Sequence, residues 1–150
     1  MIDTNKIEIS KMSLDDFDEI KFKLVSEFDD FWNTETLENE LKNENSYYIV
    51  AKLSNEIVGF AGIKIVLDEA DIMNIVTKKL YRNFGIGSVL LKNIIDYSKN
   101  NGITKLTLEV NEKNFSAIHL YEKYDFKKIA ERQKYYNGTD TAIIMQKCFN

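Results

Sequence analysis

Asn74-Ile75-Val76-Thr77-Lys78-Lys79-Leu80-Tyr81-Arg82-Asn83-Phe84-Gly85-Ile86-Gly87-Ser88 decides how this chain is read. Ile72 to Thr77 is β-rich and predicts a strand. From Ile86, the spacing of Val89, Leu90, Ile94 and Tyr97 predicts a helix with one apolar face. A short basic loop joins the two and carries Arg82-x-x-Gly85-x-Gly87. The first N–H groups of a helix have no partner inside it, and they point out at the positive end of the helix dipole. Glycine lets an anion approach that backbone without meeting a Cβ, and Arg82 adds a fixed cationic fork. Strand, loop and helix together predict a phosphate-binding turn. A dinucleotide fingerprint needs a third glycine where Leu90 stands, and a P-loop needs Gly-Lys-Ser/Thr, which is absent.

Upstream, Ile7 and Ile9 alternate with charged residues as in a short strand. Ser13 with Asp16 resembles a capping box, opening a helix along Leu14, Phe17, Ile20, Leu24 and Phe28. Thr34 or Thr36 opens a second, short helix through Leu37 and Leu41. Tyr47–Leu53 and Ile57–Val66 read as a hairpin around Ser54-Asn55-Glu56. Downstream, Gly102 closes the long helix. Ile103 to Val110 is a strand with Leu106, Leu108 and Val110 opposite Thr107 and Glu109. Ala117, Tyr121 and Tyr124 share the face of a last helix ending near Asp125, and Phe126–Tyr135 and Thr141–Lys147 are the final strands. This order predicts a mixed α/β sheet with helices on both faces.

The chain has 150 residues, enough for a single domain over 1–150 that builds its own core. No apolar run approaches the ~18 residues of a membrane helix, and the N-terminus lacks a signal peptide's pattern. One cysteine excludes an intrachain disulfide, and with a single histidine it argues against a zinc site, so no metal is expected. Cys148 reads as a buried structural thiol and His119 as a surface residue. The net charge of −4 argues against a nucleic-acid binder, and the cytoplasm is the expected compartment. Charge is uneven: residues 1–45 hold 5 basic and 13 acidic side chains. Residues 77–105 hold Lys78, Lys79, Arg82, Lys92, Lys99 and Lys105 against Asp96 alone. These are either solvated helix faces or an anionic rim for a cationic substrate beside a cationic rim for an anionic cofactor.

The Arg82–Gly87 segment resembles the pyrophosphate loop of the GCN5-related N-acetyltransferase (GNAT) superfamily, Arg/Gln-x-x-Gly-x-Gly/Ala. The resemblance implies a mostly antiparallel mixed sheet of about six to seven strands and acetyl-CoA as cosubstrate. By position, Ile75, Val76 and Thr77 would pair with the pantetheine arm. Arg82, Asn83, Phe84, Gly85, Ile86, Gly87 and Ser88 would hold the diphosphate. Thr77 and Asn83-Phe84 depart from the family's usual Val and Arg-Gln. Leu108-Glu109-Val110, Asn114, Leu120-Tyr121, Phe126, Tyr135-Tyr136 and Asp140-Thr141-Ala142-Ile143-Ile144-Met145 are similar to the ribosomal-protein-alanine N-acetyltransferase subfamily over roughly 71–147. Asp125 replaces its glycine.

The resemblance implies acetyl transfer to an N-terminal alanine α-amine of a small-subunit ribosomal protein. It makes Glu109 the proton acceptor, Tyr121 the proton donor and Asn114 a cofactor contact. Other readings stand beside these: Glu109 as a solvent-facing strand residue, Tyr121 as a core aromatic, Asn114 as an N-cap. The acceptor could instead be a small-molecule amine or a lysine side chain, or the chain a non-catalytic acyl-CoA-binding domain. A peptide N-terminus is expected to enter between the acidic first 45 residues, around Glu27, Asp29, Asp30, Glu35, Glu38, Phe28, Phe31 and Trp32, and a wall formed by Tyr135-Tyr136.

Overall fold

Ser13 and Asp16 start the first helix as their spacing predicts. Asp16 N–H donates to Ser13 Oγ at 3.0 Å and Ser13 N–H to Asp16 Oδ2 at 2.9 Å, closing a capping box on α1, Leu14–Ile20. The computed structural model describes residues 3–28, 34–136 and 138–149, with the backbone alone at 134 and 136. A strand, β1 (Glu8–Lys11), precedes α1. The expected single helix through Phe28 is broken: after a turn at 21–23 comes α2 (Leu24–Glu27), and Phe28 is extended, bridged antiparallel to Lys78. Leu14 is exposed, but Phe17, Ile20, Leu24 and Phe28 are all buried, so the rest of the apolar spacing is satisfied without a continuous helix. Phe22 and Val25 stay in solvent and give the turn no apolar face to hold. Next comes α3 (Thr34–Lys42), with Leu37 buried. Asp29, Asp30, Phe31 and Trp32 lie outside the described residues.

Strands β2 (Ser46–Leu53) and β3 (Glu56–Val66) are joined by Ser54-Asn55, both left-handed at φ 51° and 69°. Two such residues in succession make the type I′ turn that suits a twisted hairpin. Strand β4 (Glu69–Thr77) starts three residues before the expected Ile72, because Leu67 (φ 60°) turns the chain early. Helix α4 (Ile86–Asn100) ends at Gly102 (φ 76°), where Ile103 N–H donates to Ser98 O at 3.0 Å as a Schellman closure. Then follow β5 (Lys105–Asn111), α5 (Phe115–Lys123), β6 (Lys127–Tyr136) and β7 (Asp140–Cys148). Asp125 takes φ 68°, the left-handed position where the resembled family has glycine. Cys148 is exposed, which corrects the expected burial: it ends the last strand, beyond the core.

The seven strands run in the order β1-β2-β3-β4-β5-β7-β6, and among the described residues only β4 and β5 pair in parallel. Both faces are covered. Ile86, Leu90, Leu91 and Ile94 of α4 pack with Ile49, Ala61, Ile63, Leu106, Leu108 and Val110 on one face. Phe17, Ile20, Leu24 and Leu37 pack with Tyr48, Val50 and Phe60 on the other. β4 changes face along its length. Ile63 pairs with Ile72 and Gly62 with Asn74, so Met73 is an extra residue, a β-bulge. Ala70 and Ile72 therefore join the α4 core, whereas Val76 joins the core of α1. Without the bulge all three would share a face.

Candidate active site

The parallel seam is short. β4 and β5 pair at Glu69↔Lys105, Ala70↔Leu106 and Asp71↔Thr107, and there the ladder stops. Past the Met73 bulge the strands diverge, and a cleft of about 1060 Å³ opens between them. Its walls include Ile75, Val76 and Thr77 on β4, and Leu108, Glu109, Val110 and Asn111 on β5. Arg82, Asn83, Gly85, Ile86, Gly87 and Ser88 close one end, while Asn114, Leu120 and Tyr121 line it from α5. The structure thus gathers every expected site residue into one cleft except Phe84, which is 39% exposed and outside the lining.

The loop is built by two left-handed residues, Asn83 (φ 65°) and Gly85 (φ 84°). Gly85 is the N-cap of α4 and supplies no side-chain cap, and the first intrahelical bond runs from Val89 N–H to Gly85 O at 3.1 Å. The N–H groups of the first turn are thereby left for a ligand, at the positive end of a 15-residue helix. A Cβ on Gly85 would meet only Thr4 Cγ2, at 3.5 Å, so its backbone angle is what calls for glycine. Ser88 Oγ lies 2.6 Å from Tyr124 OH, tying this first turn to the end of α5.

The cationic rim is smaller than the charge count suggests. Lys78 is buried and paired with Glu56 at 2.7 Å and Glu27 at 3.2 Å. The Glu56 hydrogen bond holds the Lys78 ammonium above the usual lysine range and Glu56 below the usual carboxylate range. Lys105 sits at the opposite end of β5. Of the six basic residues, Arg82 lines the cleft. Part of the acidic half is paired as well: Glu27 with Lys78, Asp16 with Lys52, Asp18 with Lys21, Glu38 with Lys42 and Glu40 with Lys64. Burial pulls Asp16 up, but bonds from Ser13 and Lys52 outweigh it and hold Asp16 low.

Glu109 faces outward between the buried Leu108 and Val110, so its carboxylate enters the cleft from an exposed row. It pairs with Arg132 at 3.4 Å. The Tyr121 ring packs 5.8 Å from Phe126 while also lining the cleft, so the core and site readings both describe it. Asn114 Oδ1 accepts the Ala117 N–H at 3.3 Å, so it is an N-cap that also borders the cleft. Sequence reasoning missed Asn111, two residues beyond Glu109 on the same strand face. Its amide donates to Asp140 Oδ2 at 3.1 Å, and Asp140 is held below its usual range by Lys113, 2.8 Å away. Alternation along β5 was the signal that could have found it.

The sequence profile of the acetyltransferase (GNAT) family matches residues 14–126, spanning both walls of the cleft, and the chain belongs to that family. It is an acetyl-CoA-dependent N-acetyltransferase. Among its relatives, the [ribosomal protein bS18]-alanine N-acetyltransferase of Haemophilus influenzae is 39% identical over 76% of this chain and 80% of its own length. The Escherichia coli protein of the same name is 34% identical over 76% and 78%. The crystal structure of the Escherichia coli ribosomal-protein-S18-alanine N-acetyltransferase superposes with a TM-score of 0.86 at 30% identity, covering 93% of this chain and 92% of that one.

Proposed function

We propose that this enzyme acetylates the N-terminal alanine α-amine of a small-subunit ribosomal protein. Glu109 acts as the proton acceptor and Tyr121 as the proton donor. One observation carries the chemistry: a single cleft joins the donor-lined loop at Arg82–Ser88 to Glu109 and Tyr121 across the stretch of β4 that pairs with no strand on its β5 side among the described residues. The names of the relatives support the acceptor.

The loop N–H groups and Arg82 take the diphosphate of acetyl-CoA, and the open edge of β4 at Ile75, Val76 and Thr77 takes the pantetheine arm. Asn114 borders its path. Amide donors on that edge offer hydrogen bonds to the thioester oxygen as negative charge develops there. An α-amine has a pKa of about 7.7–8.0, so roughly 85–90% is protonated at pH 7 and has no lone pair to give. Glu109, directly or through a water, accepts that proton. The amine nitrogen then bonds to the acetyl carbon, the carbon–sulfur bond breaks and Tyr121 protonates the departing thiolate, while the second proton shed by the nitrogen as the amide forms passes through solvent and restores the Tyr121 hydroxyl.

The test is mass spectrometry of a peptide panel incubated with acetyl-CoA. Ala-initiated ribosomal N-termini should gain one acetyl group, and the same peptides with blocked N-termini but internal lysines should not. Equal labelling of the blocked peptides would move the acceptor to a side-chain amine.

A further inference from the structure

Arg132 stands on β6, two strands out from the cleft, and reaches back to it. Asn111 pairs with Ala142 and Ala142 with Arg132, so the three form one row across the sheet. Glu109 lies two residues along β5 from that row and hence on the same face. Arg132 Nη2 is 3.4 Å from Glu109 Oε1. The guanidinium carbon lies 4.6 Å from the centroid of the Tyr135 ring, within cation–π range. Glu131, the nearest acid on the strand itself, is instead engaged by Lys128 and Gln133.

The pair is loose. At 3.4 Å it is longer than the ~2.7–2.9 Å of a close charge-assisted bond, and both side chains are partly open, at 52% and 35%. Exposed pairs of this kind exchange partners at little cost. An amine substrate arrives largely as an ammonium. It brings to the same carboxylate the charge that the guanidinium already supplies.

We infer that Arg132 sets the affinity of the amine site through Glu109: its guanidinium holds the cation position there until the substrate ammonium replaces it, with Tyr135 keeping the displaced guanidinium at hand. This deepens the proposed function and rests on its placing of the amine at Glu109. A bare cation gains little, since it exchanges one ion pair for another. The cost of that exchange is the same for every amine, so it leaves the ratio between a chain-borne and a free amine unchanged and sets how much further contact an amine must bring to be held.

The experiment is calorimetric binding of alanine amide and of an Ala-initiated peptide to the CoA-loaded protein. Arg132→Gln should tighten alanine amide and the Ala-initiated peptide alike, by about two- to five-fold, the scale of an exposed ion pair. Arg132→Lys, which keeps the charge, should bind as wild type. In the Glu109→Gln background, Arg132→Gln should change nothing. With acetyl-CoA present, the Arg132→Gln effect should be larger on KM than on kcat. Weaker or unchanged alanine amide binding in Arg132→Gln overturns the inference, as does tightening that persists with Glu109→Gln. The role of Glu109 as base is decided separately, by the kcat of Glu109→Gln, so the two readings can fail independently.

Discussion

Strand β4 is paired with β3 from Gly59↔Thr77 to Val66↔Glu69, and with β5 over three residues only. The first seam is packed shut. A Cβ on Gly62 would fall 2.2 Å from the Tyr48 ring, and one on Gly59 would fall 2.9 Å from Val76 O. Tyr48 OH accepts a hydrogen bond from the Asn74 amide at 3.0 Å, and burial pushes that phenol well above its usual range. The second seam opens at the Met73 bulge, and its free edge becomes the wall of the cleft. The same strand thus stabilises the fold along one edge and offers unpaired backbone along the other. What separates the two is one extra residue and the short parallel pairing, not a change in composition.

The open seam is where the largest effects should fall. Glu109→Gln keeps size but cannot take the proton, and turnover should drop by about 10²–10⁴. The loss should narrow as pH rises past the α-amine range, where the substrate is already neutral. Wild-type turnover at pH 7 would leave Glu109 as a strand residue alone. Tyr121→Phe removes one oxygen and keeps the ring against Phe126. Single-turnover acetyl transfer should slow by about 10², the low end for a general acid, with CoA affinity near wild type. An unslowed transfer would return Tyr121 to the core.

The closed seam should respond in stability instead. Gly62→Ala sets a methyl into the Tyr48 ring and should cost about 1–3 kcal/mol in urea unfolding. A smaller cost would mean that the seam yields more than its contacts imply. At the loop, Gly85→Ala forces a Cβ into left-handed backbone, which should cost about 1–2 kcal/mol and weaken CoA binding as the loop rearranges. Gly87→Ala tests approach rather than strain: its Cβ would meet Leu120 Cδ2 at an ordinary 3.8 Å, so the fold should stand while a methyl on this cleft-lining backbone weakens CoA binding. Equal CoA binding by all three proteins in calorimetry would remove the loop from the diphosphate site.

Features written in a few adjacent residues were legible. The Ser13–Asp16 cap, the Gly102 closure and the Arg82–Gly87 loop each depend on local backbone chemistry, and each stands where the sequence places it. Features that depend on register were not. Burial along β4 alternates without interruption through Met73, so nothing in the pattern marks the bulge, although Val76 faces the opposite core from Ile72. Lys78 reads as a surface cation because its two carboxylate partners are 22 and 51 positions away in the sequence. Arg132 was missed for the same reason: only the β5-β7-β6 order brings it to Glu109.

The smallest effect concerns how the end of β4 is pinned. Lys78 N–H donates to Val58 O at 2.8 Å, Phe28 bridges it from the other side, and its ammonium is shared by Glu56 and Glu27. Both carboxylates are more than 40% exposed, which limits the charge contribution to about 0.5–1 kcal/mol. The folded Glu56 lies below its ordinary 4.5, mainly through the Lys78 hydrogen bond. Its contribution is therefore full above pH 4.5 and is lost as pH falls through the lowered folded value. The folded Lys78 lies above its ordinary 10.5, mainly through the same bond. That contribution is full below pH 10.5 and is lost as pH rises through the raised value. Lys78→Gln should accordingly cost about 0.5–1 kcal/mol between pH 5 and 10, and the gap to wild type should close on the acid side of that window. Urea unfolding of both proteins from about pH 3 to pH 10 is the measurement. A gap that stays constant down to pH 3 would assign the cost to the packing of the Lys78 stem, and the end of β4 would then be pinned by Phe28 and Val58 without help from charge.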